Sequence, residues 1–216
     1  MRYCLMNQPA GLALVDRYGK KPPLIVNYAS PALRRRQKKI SARGELLIRA
    51  VKEKPGARVL DMTAGLGIDA FILASYGHEV MMLERSKTVY LLVRDALMRA
   101  QQLKDLKPIL DRLTLHHWDS TQAFLPAKGF DAALVDPMFE EKKKSALPPG
   151  NMQMLQAFLG QGAELQPFLT AAQALGIRRT IVKRPRVDRE PAINARRPVY
   201  QLTGRSSRLD VFFNPV

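Results

Sequence analysis

The spacing of apolar residues changes at Ala57. Beyond it, short apolar runs that read as buried strands alternate with longer stretches in which apolar residues recur three and four apart, the spacing of a helix face. The strand runs are ARVLDM (57–62), EVMMLE (79–84), LTLHH (113–117), FDAALVD (130–136) and RRTIVKRP (178–185). Between them, IDAFILASYG (68–77) predicts a helix closed by Gly77, and KTVYLLVRDALMRAQQL (87–103) a long amphipathic helix. MQMLQAFLG (152–160) and PFLTAAQALG (167–176) add two more helices. The tail VYQLTGRSSRLDVFF (199–213) reads as a closing hairpin turned by Gly-Arg-Ser-Ser. Strand and helix in alternation imply an α/β fold with a mostly parallel, seven-stranded sheet and an antiparallel edge. No repeat or low-complexity segment interrupts it.

Upstream, the pattern is weaker. LALV and LIV flank YGKKPP and predict a short strand-turn-strand cap. From Leu33 to Arg43 there are six basic residues and no acid, which reads as a basic loop leading into a helix over ELLIRAV (45–51). The expected organisation is a small cap with its basic loop over 1–40 and one main domain over 41–216.

In open α/β sheets, ligands lie outside the carboxyl ends of the strands. The segment Asp61-Met62-Thr63-Ala64-Gly65-Leu66-Gly67 falls there. Its glycines allow close backbone approach, and the following helix offers its N-terminus. Two cofactors compete for this turn. Gly65-x-Gly67-x-x-Ala70 satisfies a dinucleotide fingerprint, with Glu84 for a ribose hydroxyl. Asp61, however, precedes the glycines, where a carboxylate sits badly beside a pyrophosphate and well beside a ligand carrying an ammonium and a sulfonium. That favours S-adenosylmethionine, with Glu84 accepting from both ribose hydroxyls. Asp61 is also a good helix N-cap, and Asp119 and Ser120, after the third strand, serve either the adenine or the next helix start.

The fourth strand runs into VDPMFEEKKKSALPPG (135–150). An exocyclic amine on a nucleobase is a poor nucleophile, because its lone pair is delocalised into the ring. A carboxylate and a fixed carbonyl that accept its two N–H bonds would aim the nitrogen at an electrophilic methyl group. Asp136 supplies the carboxylate, Pro137 fixes the carbonyl, and Phe139 offers a stacking face worth roughly 1–3 kcal/mol per base. Read alone, Asp-Pro after a strand is equally an ordinary turn.

Charge changes the picture of the partner. Lys and Arg number 35 against 19 Asp and Glu, a formal charge of +16, which points to a polyanion. Three basic groups surround the proposed chemistry: Arg34, Arg35 and Arg36; Lys142, Lys143 and Lys144; and Lys183 with Arg184, in a stretch from Arg178 to Arg208 holding ten basic residues against two acids. They suit phosphates around an extruded or single-stranded base. The lone Cys4 excludes a disulfide framework or thiolate zinc site within the chain, and His78, His116 and His117 lack the spacing of a zinc-binding helix, so no metal is expected. Without a long apolar run, no membrane span is expected and a cytoplasmic protein is the simplest reading.

At this point the residues resemble a known family, the bacterial small-subunit ribosomal RNA guanine-N2 methyltransferases of the RsmJ type. The likeness runs from about Pro31 to the C-terminus and is strongest in DMTAGLGIDAFILASYGHEVMMLER, VDPMFEEKKKSAL, TIVKRP and RLDVFF. It implies a class I methyltransferase fold, S-adenosylmethionine as cofactor, and methylation of a guanine amine in ribosomal RNA. It places cofactor contacts at Ile68, Asp69, Glu84, Arg85, Asp119, Ser120 and Asp136. Members commonly carry Arg where this chain has Ile68, and a small residue followed by two serines where it has Trp118-Asp119-Ser120. Other readings kept open are amine methylation on DNA or another RNA, a nucleic-acid-binding module without catalysis, and a nicotinamide oxidoreductase.

Overall fold

A computed structural model describes residues 2–19, 21–122, 129–137, 150–160, 164–186 and 196–214. The main sheet contains β4 (Arg58–Asp61), β5 (Glu79–Glu84), β6 (Leu113–His117), β7 (Ala132–Val135), β8 (Arg179–Pro185), β9 (Tyr200–Thr203) and β10 (Ser207–Phe213), in the spatial order β6-β5-β4-β7-β8-β10-β9. The pairs from β6 through β8 are parallel. β10 runs antiparallel to both β8 and β9. The hairpin expected at the tail is present, with its second strand inserted inside the sheet and its first forming the rim.

Both faces of the strands are covered, as a parallel sheet requires. Alternate residues divide between two cores: Val59, Leu134, Ile181 and Val211 face one, while Leu60, Val135, Val182 and Phe212 face the other. The first core is closed by α2 (Leu46–Val51), α3 (Ile68–Tyr76) and α4 (Lys87–Ala100), the second by α7 (Gln166–Ala174). Gly77 ends α3 in the left-handed conformation, φ 114°, and Ser86 caps α4 by accepting the Val89 N–H. A short turn of helix, α5 (Lys107–Leu110), leads into β6, and α6 (Gly150–Leu159) precedes α7.

The N-terminal part has more structure than its sequence pattern predicts. β1 (Tyr3–Gln8), β2 (Gly11–Asp16) and β3 (Leu24–Ile25) form an antiparallel sheet, and the first of them lies ahead of the two expected strands. The sheet rests on α4: Asp95 accepts the Leu12 N–H, and Arg99 donates to the Val26 carbonyl. The expected basic loop is in part a helix, α1 (Pro31–Gln37), started by Ser30 as N-cap and Pro31 in its first turn.

Candidate active site

The sheet order sets a row of carboxylates along one edge. Glu84 ends β5, Asp61 ends β4, and Asp136 follows β7, on three neighbouring strands. With strands about 4.8 Å apart, the row is roughly 10 Å long. β8 then contributes Lys183.

The glycine-rich turn is held from three sides. Glu84 Oε2 accepts the Gly65 N–H at 3.0 Å and Oε1 accepts the Ser86 N–H at 2.7 Å. Two backbone donors leave about half of a carboxylate's acceptor capacity for ribose hydroxyls. Burial pushes the Glu84 carboxyl up, and those two N–H groups oppose the shift. From below, Tyr28 donates to the Leu66 carbonyl at 3.1 Å and stacks on Phe71. Gly65 and Gly67 have φ of 52° and 70°, and a Cβ on Gly67 would lie 2.3 Å from the Tyr28 hydroxyl oxygen. Glycine is required there on both counts. On the third side, Thr63 Oγ1 accepts the Asp136 N–H at 2.6 Å, tying the turn to the end of β7.

Asp61 is 2% exposed, and its Oδ1 accepts the Thr63 N–H. Burial pushes its carboxyl up to about 8; Asp69 and Asp136 add to the shift, while the Thr63 N–H and Lys183 oppose it. Lys183 Nζ donates to Asp69 Oδ2 at 2.5 Å and to Asp136 Oδ2 at 2.8 Å. Burial works against the ammonium, but the two carboxylates outweigh it and its pKa rises. Asp136 is raised by burial and held back by Lys183. Behind Asp69 lies Arg36, 4.0 Å away and itself bidentate on Glu45. Asp69 and Asp136 about Lys183, with Asp61 beside them able to ionise when a cation arrives, make a pocket suited to a cationic ligand.

Beyond Glu84, a cavity of about 510 Å³ is lined by Arg85, Ser86, His117, Trp118, Asp119, Gln122 and Leu159. It is large enough for a nucleoside. The sulfonium and ammonium of S-adenosylmethionine match the aspartates, its ribose matches Glu84, and its adenine matches this cavity. The chemistry of the donor set therefore fits that cofactor.

The remaining expected residues fall into distinct places. Ile68 opens α3 with its side chain against the core, and Asp69 follows it in the first turn. Arg85 is exposed, and its carbonyl lies 3.1 Å from His117 Nε2. Asp119 Oδ1 accepts from the Thr121 N–H and hydroxyl in a local turn, and no helix start follows it among the described residues. Ser120 is buried and donates its hydroxyl to the Met62 carbonyl at 2.5 Å. Pro137 is buried at the end of β7. Phe139 and Lys142, Lys143 and Lys144 lie outside the described residues.

The basic residues sort differently from their sequence grouping. Arg34 pairs with Asp105 and Arg36 with Glu45, leaving Arg35 exposed on α1. Lys183 belongs to the aspartate pocket. Arg184 needs correction as a phosphate contact: it is 4% exposed, and its Nε lies 3.3 Å from Asp210 Oδ2. On a strand, neighbours point to opposite faces, so Lys183 and Arg184 cannot both face one ligand. Arg186 and Arg205 are exposed at the same edge, where the Arg186 N–H donates to the Ser206 carbonyl. Thr63, Tyr28 and Arg205 were not singled out by sequence; only Arg205, in a basic turn between two strands, carried a readable signal. Among the described residues no cluster of metal-ligating side chains occurs, and no helix is long and apolar enough to cross a membrane.

Comparison with known proteins agrees with this geometry. Residues 1–214 match the family model described as "Putative SAM-dependent methyltransferase". A ribosomal RNA small subunit methyltransferase J from Ectopseudomonas mendocina is 37% identical, over 94% of this chain and 79% of its own length. The protein of the same name from Dechloromonas aromatica is 37% identical, over 88% and 78%. Among solved structures, a SAM-dependent methyltransferase from Neisseria gonorrhoeae superposes with a TM-score of 0.73 and 27% identity, covering 97% of this chain and 81% of that one.

Proposed function

This chain belongs to the SAM-dependent methyltransferase family, and we propose that it methylates the exocyclic N2 amine of a guanine in small-subunit ribosomal RNA. The observation that carries the reading is Asp136, a carboxylate at the end of β7 locked to the glycine-rich turn through Thr63 and followed directly by Pro137. S-adenosylmethionine supplies an electrophilic methyl group on a positively charged sulfur. The chain's own residues bind, orient and accept. Asp61 and Asp69 neutralise the cofactor's cationic end, and Glu84 takes its ribose. Asp136 accepts an N–H of the target amine, which concentrates the nitrogen lone pair on the far side, and it is the first base to which the displaced proton can pass. Positioning of this kind supplies most of the rate in a direct displacement.

The acceptor class is supported by the names of the relatives, by the RsmJ-type motifs, and by the charge of +16. Exposed Arg35, Lys38, Lys39, Arg186 and Arg205 are the candidates for phosphate contacts. Such a substrate places the protein in the cytoplasm with the ribosome.

Labelled S-adenosylmethionine, incubated with small-subunit RNA or assembled subunits lacking the modification, should label a single guanine. Absence of transfer to both, or transfer to DNA in their place, would overturn the assignment. Asp136→Ala should lower turnover by about 10²–10⁴-fold while cofactor binding remains measurable by calorimetry; near-normal turnover would remove Asp136 from the chemistry.

A further inference from the structure

The place of Lys183 extends the reading above and rests on it. Its ammonium lies between two carboxylates from different elements, Asp69 on α3 and Asp136 after β7, within hydrogen-bond distance of both. Asp61 at the end of β4 adds a third carboxyl group, held largely protonated by burial, and Arg36 on α1, backed by Glu45, a second positive group behind Asp69. On the neighbouring strand β10 the residue paired with Lys183 is the apolar Leu209, so among the described residues the charges that act directly on its ammonium are Asp69 and Asp136. A lysine meant for phosphate would keep its ammonium in solvent; this one has two of its three N–H bonds committed inside the pocket.

We propose that Lys183 is a positioning residue for methyl transfer: clamped by Asp69, it holds Oδ2 of Asp136 and turns Oδ1 to the acceptor amine. Two consequences follow. The carboxylate cannot rotate freely, so the amine is offered one acceptor in one place. Lys183 also favours the ionised form of Asp136 against burial and the neighbouring Asp69, both of which oppose it. Asp69, the anchor of the clamp, sits in the first turn of α3, where the helix dipole favours a negative group. Through it, the turn that holds the cofactor and the carboxylate that holds the acceptor share one cation.

The test compares wild type with Lys183→Met, Lys183→Gln and Lys183→Arg, using small-subunit RNA, over a range of pH. Lys183→Met and Lys183→Gln should lower kcat by ~10²-fold, with KM for RNA nearly unchanged. Their acid limb of kcat/KM should move to higher pH by about one to three units. Lys183→Arg keeps the charge and should restore the acid limb, with kcat only partly recovered. A kcat and pH profile that superpose on wild type would overturn the proposal. So would a raised KM for RNA with unchanged kcat and a smaller salt dependence, the signature of a phosphate contact. Carbon-13 NMR of the Asp136 carboxyl in the ligand-free protein reads the same clamp without RNA. Its titration midpoint should rise in Lys183→Gln, and an unmoved midpoint would overturn the clamp even if wild type labelled no RNA. Absence of labelling together with a moved midpoint would instead refute the assigned substrate and leave the clamp standing.

Discussion

Lys183 and Arg184 are consecutive on β8, yet they belong to two ionic clusters of opposite design. Lys183 faces Asp69 and Asp136 in a pocket where its side chain keeps 30% of its exposure and Asp136 keeps 35%. Arg184 faces Asp210, which is fully buried and also held by Arg208 Nε at 2.7 Å and Gln201 Nε2 at 2.9 Å. The first cluster gathers carboxylates around one cation and is open to solvent; the second gathers cations around one fully buried carboxylate and is nearly closed to it. A closed cluster has no state to move to, so its charges fix β8, β10 and β9 in register. An open one can exchange partners with a ligand. Burial, more than the residue types, separates structural from chemical charge in this fold.

Removing the shared anion of the closed cluster is the sharpest way to break this contrast. Asp210→Ala removes the buried carboxylate that Arg184, Arg208 and Gln201 share and should cost about 3–5 kcal/mol in urea unfolding. A loss under about 1 kcal/mol would mean that Arg184 and Arg208 reach solvent easily, and the contrast would collapse.

Gly67→Ala probes the floor under the open cluster. It forces a side chain into a left-handed position against the buried Tyr28 hydroxyl, and should cost about 1–3 kcal/mol with weakened cofactor binding. Shortening the wedge by Tyr28→Phe in the same protein removes the atom a Cβ would meet, so the double variant should recover part of that loss.

Asp61 gives the open cluster a pH signature. With its carboxyl pushed up to about 8, it is mostly protonated at neutral pH in the ligand-free protein, whereas a cationic cofactor prefers it ionised. Affinity for S-adenosylmethionine should therefore rise as pH goes from 6 to 8, by at most about tenfold per unit, and level off above. Calorimetry in buffers of different ionisation enthalpy should show proton release, and Asp61→Asn should abolish both effects. The ligand-free fold responds in the opposite sense. Because the folded pKa is raised above the unfolded value, this group's contribution is complete below about pH 4 and is lost as pH rises through 8.

The smallest effect belongs to the surface outside both clusters. Arg35→Ala should weaken RNA binding modestly and reduce the slope of log affinity against log salt by about 0.7–0.9, leaving cofactor affinity unchanged in calorimetry. An unchanged slope would remove α1 from the proposed RNA contact.

Legibility in the sequence followed the range of the interactions involved. Strands such as Glu79–Glu84 and the helix closed by Gly77 are dictated by local periodicity and a capping glycine, and they stand where the pattern places them. The row of Asp61, Glu84 and Asp136 was also readable, because strand ends in a parallel sheet share an edge. The helix α1 was readable in principle from Ser30-Pro31, a helix start, but three consecutive arginines suggested a solvated loop. Arg184 was beyond local reading. Its burial depends on Asp210, 26 positions away and brought near only by the insertion of β10. Tyr28 is a similar case, since its partner Gly67 belongs to another part of the fold.

That insertion has a consequence for how the molecule is made. A ribosome delivers β8 well before β10, so during synthesis the edge of β8 is an open hydrogen-bonding rail with Lys183 and Arg184 already on it. Unpaired edges of this kind recruit other strands. A charged side chain on such an edge resists burial against a foreign strand, so Arg184 would oppose wrong pairing before Asp210 is in place. The residue that helps lock the finished sheet would then also be a gatekeeper of the nascent one.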